Sequence, residues 1–299
     1  MKNSPIPRRT FLHITGCAAA TTAFRSTAWG APPRRLRKAI MYSTIGVKGS
    51  VLEKFRAMQA AGFEGVEPMG AMNRDEVLAA FKATGLQAAS VCCHTHWVKP
   101  LSAPDEATRA VGLAGLVQSV QDAHAYGATS VLLVPGVARN GVSYEQCFER
   151  SVAEIKKVLP LAQELGVKIA IENVGNDFIR TPEQAVAYLA AFNSPAVGWH
   201  FDIGNAGRVG PAERWIQVLG QQIVRLHIKD FSAKPPDPAA KATPRVKLLD
   251  GDTNWPAVMR ALDQAGYQGW AISEQPGEQA ADVATARDLA QRMDRIFAS

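Results

Sequence analysis

The chain has 299 residues, 47% hydrophobic and 20% charged, a balance that suits a soluble globular protein with a large core. Of its 33 basic residues, Lys2, Arg8, Arg9 and Arg25 lie in the first thirty, where there is no acid, leaving 29 against 27 acidic residues in the rest. A body so close to neutral carries no polyanion footprint, so no nucleic-acid partner is expected.

Taken in order, the chain opens on Pro7-Arg8-Arg9-Thr10-Phe11-Leu12, which resembles a twin-arginine export signal. A mildly apolar Ala/Thr-rich run follows from Leu12 to Phe24, and small residues at Ala28 and Gly30 suit cleavage near Ala31. Residues 1–30 are therefore expected to be a removed signal peptide and 31–299 the catalytic domain, exported to the periplasm or beyond. The apolar run is too short and weak to span a bilayer, so stable membrane insertion is not expected. Ile14-Thr15-Gly16-Cys17 superficially matches a lipoprotein box, but it lies too close to the arginines for a full apolar region, which argues against anchoring at Cys17. Cys92, Cys93 and Cys147 remain, an odd number without framework spacing, so no disulfide scaffold is expected.

Past the leader one unit repeats: a helical pattern, a glycine, one to three residues, then an apolar strand. Gly62 precedes 65–67, Gly85 precedes 87–92 and Gly127 precedes 130–134. Gly166 precedes 168–172, Gly220 precedes 223–227 and Gly266 precedes 270–274. Glycine just past a helix end is the left-handed cap that lets the chain turn into the next strand. Ser143 with Gln146 forms a capping box, Thr181-Pro182-Glu183 places proline at a first helical position, and Val283, Leu289, Met293 and Ile296 mark the stripe of a last helix. With 39–42 as a first strand and 197–201 as a sixth, eight strands alternate with helices. This predicts an α/β fold, a single (β/α)8 TIM barrel with right-handed crossovers; a doubly wound open sheet is the alternative.

In a barrel, chemistry sits where the strands end. The ends read Tyr42, Glu67, His94, Pro135, Glu172, Asp202, His227 and Glu274. Strand alternation puts His200 and Asp202 on one face and Trp199 and Phe201 on the other, and it groups Arg225, His227 and Lys229. Glu172, Asp202, His227 and Glu274, from strands five to eight, then converge. Such groups repel and shift one another unless a counter-ion is present, and a divalent cation removes the conflict. Oxygen-rich ligands with one nitrogen favour Mn²⁺, Co²⁺ or Mg²⁺, with Zn²⁺ also admitted. Taken singly, a strand-end glutamate is ordinarily a salt-bridged rim residue and a buried histidine a satisfied core group; four on successive strands point to one metal site. Glu67, His94, His200 and Lys229 are the candidate substrate-binding groups. Glu67 could instead pair with Arg225, and Lys229 with Asp230. The 204–210 run, Gly-Asn-Ala-Gly-Arg-Val-Gly, is phosphate-friendly but lacks the Gly-Lys-Ser/Thr ending of a P-loop.

Four motifs carry a family resemblance: Ile171-Glu172-Asn173, Phe201-Asp202-Ile203-Gly204-Asn205-Ala206, His227-Ile228-Lys229-Asp230, and Gly266-Tyr267-Gln268-Gly269-Trp270 through Ser273-Glu274. In this order they resemble the sugar phosphate isomerase/epimerase family of xylose-isomerase-like barrels, over essentially everything after the leader. The resemblance implies that Glu172, Asp202, His227 and Glu274 hold one divalent metal, Mn²⁺ foremost, and that Glu172 and Glu274 are also the catalytic acid/base pair. A metal that chelates a carbonyl oxygen and the adjacent hydroxyl acidifies the intervening C–H and stabilises an enediolate. Glu172 would take the proton, and Glu274 would return one to the opposite face (epimerisation) or to the neighbouring carbon (isomerisation).

The departures bear on substrate. Ketose 3-epimerases of the family have a glutamate where this chain has Phe178 and an arginine where it has Ala233, and trinuclear endonucleases of this barrel type have a histidine where it has Asn205. The loop 234–247, basic and proline-rich, is expected to act as a partial lid. An exported isomerase/epimerase would meet a neutral sugar or keto-sugar, as a monomer or a homo-oligomer. One alternative is a lyase or dehydratase on 3-keto-glycosides or inosose with the same metal; another is a non-catalytic sugar-binding barrel.

Overall fold

Apolar runs rich in Val, Ile and Leu form the strands, buried on both faces as parallel barrel strands are. The computed structural model describes residues 35–233 and 246–299. The expected signal peptide and most of the expected lid lie outside the described residues. The strands are β1 (Leu36–Met41), β2 (Gly65–Glu67), β3 (Gln87–Ala88), β4 (Val91–Cys92), β5 (Ser130–Leu133), β6 (Lys168–Glu172), β7 (Val197–Asp202), β8 (Ile223–Ile228) and β9 (Gly269–Ser273). Helices α1 (Val51–Ala61), α2 (Arg74–Thr84), α3 (Glu106–Tyr126), α4 (Tyr144–Glu164) and α5 (Pro182–Ala190) separate the earlier strands. The later ones are α6 (Ile203–Gly207), α7 (Ala212–Leu219), α8 (Trp255–Gln264) and α9 (Val283–Phe297).

The strands pair in the order β3-β2-β1-β9-β8-β7-β6-β5-β4, all parallel. The expected third strand is two segments: β3 pairs with β2, and β4 pairs with β5. The break at Ala89-Ser90 lets one strand serve two neighbours, which closes the ring and makes the fold a single (β/α)8 TIM barrel rather than an open sheet. The helix signals are realised locally. Ser50, Ser143, Thr181 and Asp282 each make a capping box, and Gly62, Gly85 and Gly127 take left-handed conformations at helix ends.

Two apolar regions hold the barrel. Between sheet and helices, Trp199 and Phe201 are fully buried, with ring centroids 6.2 Å from Trp215 of α7. Burial of a side chain such as Phe or Leu is worth roughly 1.5–3 kcal/mol, so this layer dominates the stability. Inside the barrel the filling residues are smaller: Ala39, Met41, Ala89, Cys92, Leu132 and Ile272. Arg225 lies across the floor and donates to Ala89 O (2.6 Å), Val224 O (2.5 Å) and Thr129 Oγ1 (2.6 Å). Trp270 also lies at the floor, with Arg37 over its ring at 3.8 Å. A Cβ at residue 65 would stand 2.7 Å from that indole, so only glycine admits it. Above this floor the alternate inward positions turn polar. Among the described residues no helix is long and apolar enough to cross a membrane.

Candidate metal centre

The C-terminal ends of β6 to β9 bring four groups together. Glu172 ends β6, Asp202 ends β7, His227 lies one residue before the end of β8, and Glu274 directly follows β9. Register places Asp202 beside His227 and Glu172 beside His200. One donor atom from each of Glu172, Asp202, His227 and Glu274 lies within 4.8 Å of all the others. His227 Nδ1 is the hub, 3.0 Å from Glu172 Oε1, 3.4 Å from Glu274 Oε2 and 3.9 Å from Asp202 Oδ2. Lys229 Nζ donates to Asp202 Oδ2 at 3.2 Å and also to Glu274 Oε2. It thus supplies a cation beside the acids, and Asp230 is engaged elsewhere.

Asp202 uses its two oxygens differently. Oδ1 caps α6 by accepting from Asn205 N at 2.6 Å, which leaves Oδ2 for the centre. Its backbone is clamped by Asn173, whose Oδ1 accepts from Asp202 N (3.0 Å) and Trp199 Nε1 (3.1 Å) and whose Nδ2 donates to Asp202 O (2.8 Å). Asn205 Nδ2 donates back to Asn173 O at 3.0 Å. Sequence reasoning gave Asn173 no role; its place directly after Glu172 was the only local signal.

Electrostatics follow from burial among like charges. Burial pushes the Glu172 carboxyl up to about 7 against the pull of His227. Asp202 is pushed up to about 6 by burial, opposed by Lys229. Burial works in the same direction on Glu274, but Lys229 and His227 outweigh it and hold that carboxyl well below its usual range. Burial also disfavours charge on His227, yet Glu67, Glu172 and Glu274 together raise its pKa well above the ordinary imidazole value.

The candidate substrate-binding groups separate. Lys229 is at the centre. Glu67 and His200 are wholly buried and form a second cluster with His227, on the opposite side of its ring from the four-residue group. Glu67 Oε2 lies 3.0 Å from His227 Nε2, so Glu67 pairs with the histidine and faces no solvent. The alternative Glu67–Arg225 pair does not form, because the donors of Arg225 reach floor oxygens. The His200 ring meets His227 edge-on with centroids 4.2 Å apart. His94 stands exposed on the turn after β4, outside both clusters. His96 is buried, its Nδ1 accepting from Val134 N at 3.1 Å. Phe178 is packed between Tyr144 and Tyr188, as an apolar residue should be. The 204–207 stretch is taken up by α6, with Gly207 against Phe231.

A closed eight-unit barrel with carboxylates and imidazole gathered at its mouth defines a class, and comparison with known proteins gives its family. Residues 55–296 match the xylose isomerase-like TIM barrel model, and the chain belongs to that family. L-ribulose-5-phosphate 3-epimerase UlaE of Salmonella typhi is 27% identical over 265 residues, 79% of this chain and 87% of the relative. Two solved structures share the fold. They are the E. coli 3-keto-D-glucoside 4-epimerase YcjR (TM-score 0.74, 18% identity, 89% of this chain and 100% of that one) and the D-allulose 3-epimerase of Methylomonas sp. (0.70, 16%, 89% and 97%). The donor set fits a divalent cation: three carboxylates and one imidazole nitrogen, mostly buried, with the Lys229 ammonium beside them.

Proposed function

We propose that this protein is a divalent-metal-dependent sugar isomerase/epimerase acting on a neutral sugar or keto-sugar. The observation that carries the reading is the convergence of Glu172, Asp202, His227 Nδ1 and Glu274 within 4.8 Å at the mouth of a xylose isomerase-like barrel. Glu172, Asp202, His227 and Glu274 would hold the ion, with Mn²⁺ the first choice and Co²⁺, Mg²⁺ or Zn²⁺ the alternatives. When bound, the ion supplies Lewis-acid polarisation of a carbonyl and its neighbouring hydroxyl, making the C–H between them acidic enough to ionise to an enediolate.

Glu172 takes that proton and Glu274 delivers one back. Their strands stand three places apart in the sheet, so the carboxylates approach a sugar from different sides. Lys229, one-quarter exposed at the mouth, donates to a substrate oxygen. Replacing Glu172 by Gln is expected to abolish exchange of the substrate C–H with deuterated water while the fold persists; undiminished exchange would sink the assignment. L-Ribulose 5-phosphate, the substrate named for the UlaE relatives, belongs in the same screen as neutral ketoses. Release of an aglycone from a 3-keto-glycoside would mark elimination instead, and bound metal without exchange on any sugar would mark a binding protein.

We propose further that residues 1–30 direct export by the twin-arginine route, and the double variant Arg8→Lys/Arg9→Lys is expected to leave full-length protein in the cytosol. Processing of that double variant near Ala31 would count against it.

A further inference from the structure

The two donor clusters share His227, and a neutral imidazole has only one lone-pair nitrogen, the other carrying its proton. The ring orientation divides the work. Nδ1 faces Glu172, Asp202 and Glu274, whereas Nε2 faces Glu67 Oε2 at 3.0 Å. Glu67 is fully buried, and His227 is its hydrogen-bond partner; its other oxygen, Oε1, has none among the described residues. Arg225, the cation at the floor, is committed to Ala89 O, Val224 O and Thr129 Oγ1. His200 walls the other side, its Nδ1 4.0 Å from Glu67 Oε1 and its ring against His227. A carboxylate in such a place has one donor to accept from, the Nε2–H of His227.

We propose that Glu67 is the positioning residue of the metal centre. It holds the His227 proton on Nε2, locks the ring orientation, and leaves the Nδ1 lone pair directed at the ion. The buried Glu67–His200–His227 group is then the support of one metal site rather than a second site. Outer partners of this kind, a carboxylate behind a ligating histidine, also raise ligand basicity, and their loss weakens metal binding by about 10–100-fold. The inference rests on the metal-dependent reading above.

The test compares the wild-type chain with Glu67→Gln and Glu67→Leu. Mn²⁺ dissociation constants are measured by competition with a chromophoric chelator, and the His227 protonation pattern is read in the Zn²⁺-loaded protein by long-range ¹H–¹⁵N correlation. Glu67→Gln keeps shape and an acceptor, so its fold is preserved even if Glu67→Leu is too unstable to study, and metal-free melting curves report this. Expected are a proton on Nε2 with Nδ1 on the metal in the wild type, and Mn²⁺ affinity weakened about 10-fold in Glu67→Gln and towards 100-fold in Glu67→Leu. Unchanged affinity in Glu67→Gln, or a wild-type proton on Nδ1 with metal on Nε2, overturns the role of Glu67 while leaving a metal protein. Failure of the wild type to bind Mn²⁺ or Zn²⁺ overturns the functional reading together with it.

Discussion

His96 shows how a single buried ring couples the fold to pH. Its Nδ1 accepts from Val134 N, and burial pushes its pKa down to about 3. In the unfolded chain the same ring titrates near 6.5, so between these values the unfolded state binds the proton and the folded state does not. This contribution to stability is fully present above about pH 6.5 and is lost as pH falls towards 3, by about 1.4 kcal/mol per pH unit where the difference is a whole proton. His96→Asn, which keeps an acceptor for Val134 N, is expected to flatten the fall in melting temperature between pH 6 and 4. An unchanged slope would show that other groups govern acid sensitivity. The convergence of Glu172, Asp202, His227 and Glu274 was legible in the sequence because period-two alternation and strand ends are local properties. The place of Glu67 was not. Its partner is His227, 160 positions further on, and whether a strand-end glutamate faces a mouth or the back of an imidazole depends on the register of β2 in the closed ring.

At the level of elements, the connection from β8 to α8 is tied at its base by Asp230. Its carboxylate accepts from Phe231 N, Leu249 N, Thr253 N, Thr253 Oγ1 and Trp255 Nε1, at 2.6 to 3.2 Å. Gly251 passes so close that a Cβ there would stand 2.3 Å from Asp230 Oδ1. Asp230→Ala leaves the buried Trp255 Nε1 and four part-buried donors without this acceptor, and with an unpaired buried donor costing about 1–3 kcal/mol, a loss of about 3 kcal/mol is expected in denaturant unfolding. A loss below about 1 kcal/mol would mean that water replaces the carboxylate freely. In the sequence Asp230 stood as the alternative partner of Lys229, whose first reading was a substrate-binding group. The two residues follow the end of β8 and their side chains diverge: Lys229 turns to the carboxylates and Asp230 to the loop. Helix boundaries were far more legible, since the Ser143 and Thr181 boxes and the capping glycines act within four residues. The division of the third strand into β3 and β4 was hidden, because only closure of the whole barrel demands it.

For the molecule as a whole, a site assembled from four strands links metal binding to folding. At a free Mn²⁺ concentration 100 times the dissociation constant, unfolding is expected to cost about 2.7 kcal/mol more. The matching rise in melting temperature should vanish on chelation and be absent in Asp202→Ala; an equal rise in that variant would place the ion elsewhere. The doubled third strand adds an asymmetry. β6, β7, β8 and β9 are successive neighbours in the ladder, with one register shift against β8 between Trp199 and His200, while the seam at Ala89-Ser90 lies at its two ends, where Cys92 bonds to Pro68 and Gly70 and Arg225 reaches Ala89 from across the barrel. The four metal-directed groups belong to the wall away from that seam. Thermal breathing is expected to be spent at the seam, with amide exchange faster at Ser90, between β3 and β4, than at Ile171, Phe201 or Leu226. Such breathing would let the barrel admit a ligand without detuning the geometry of its own centre.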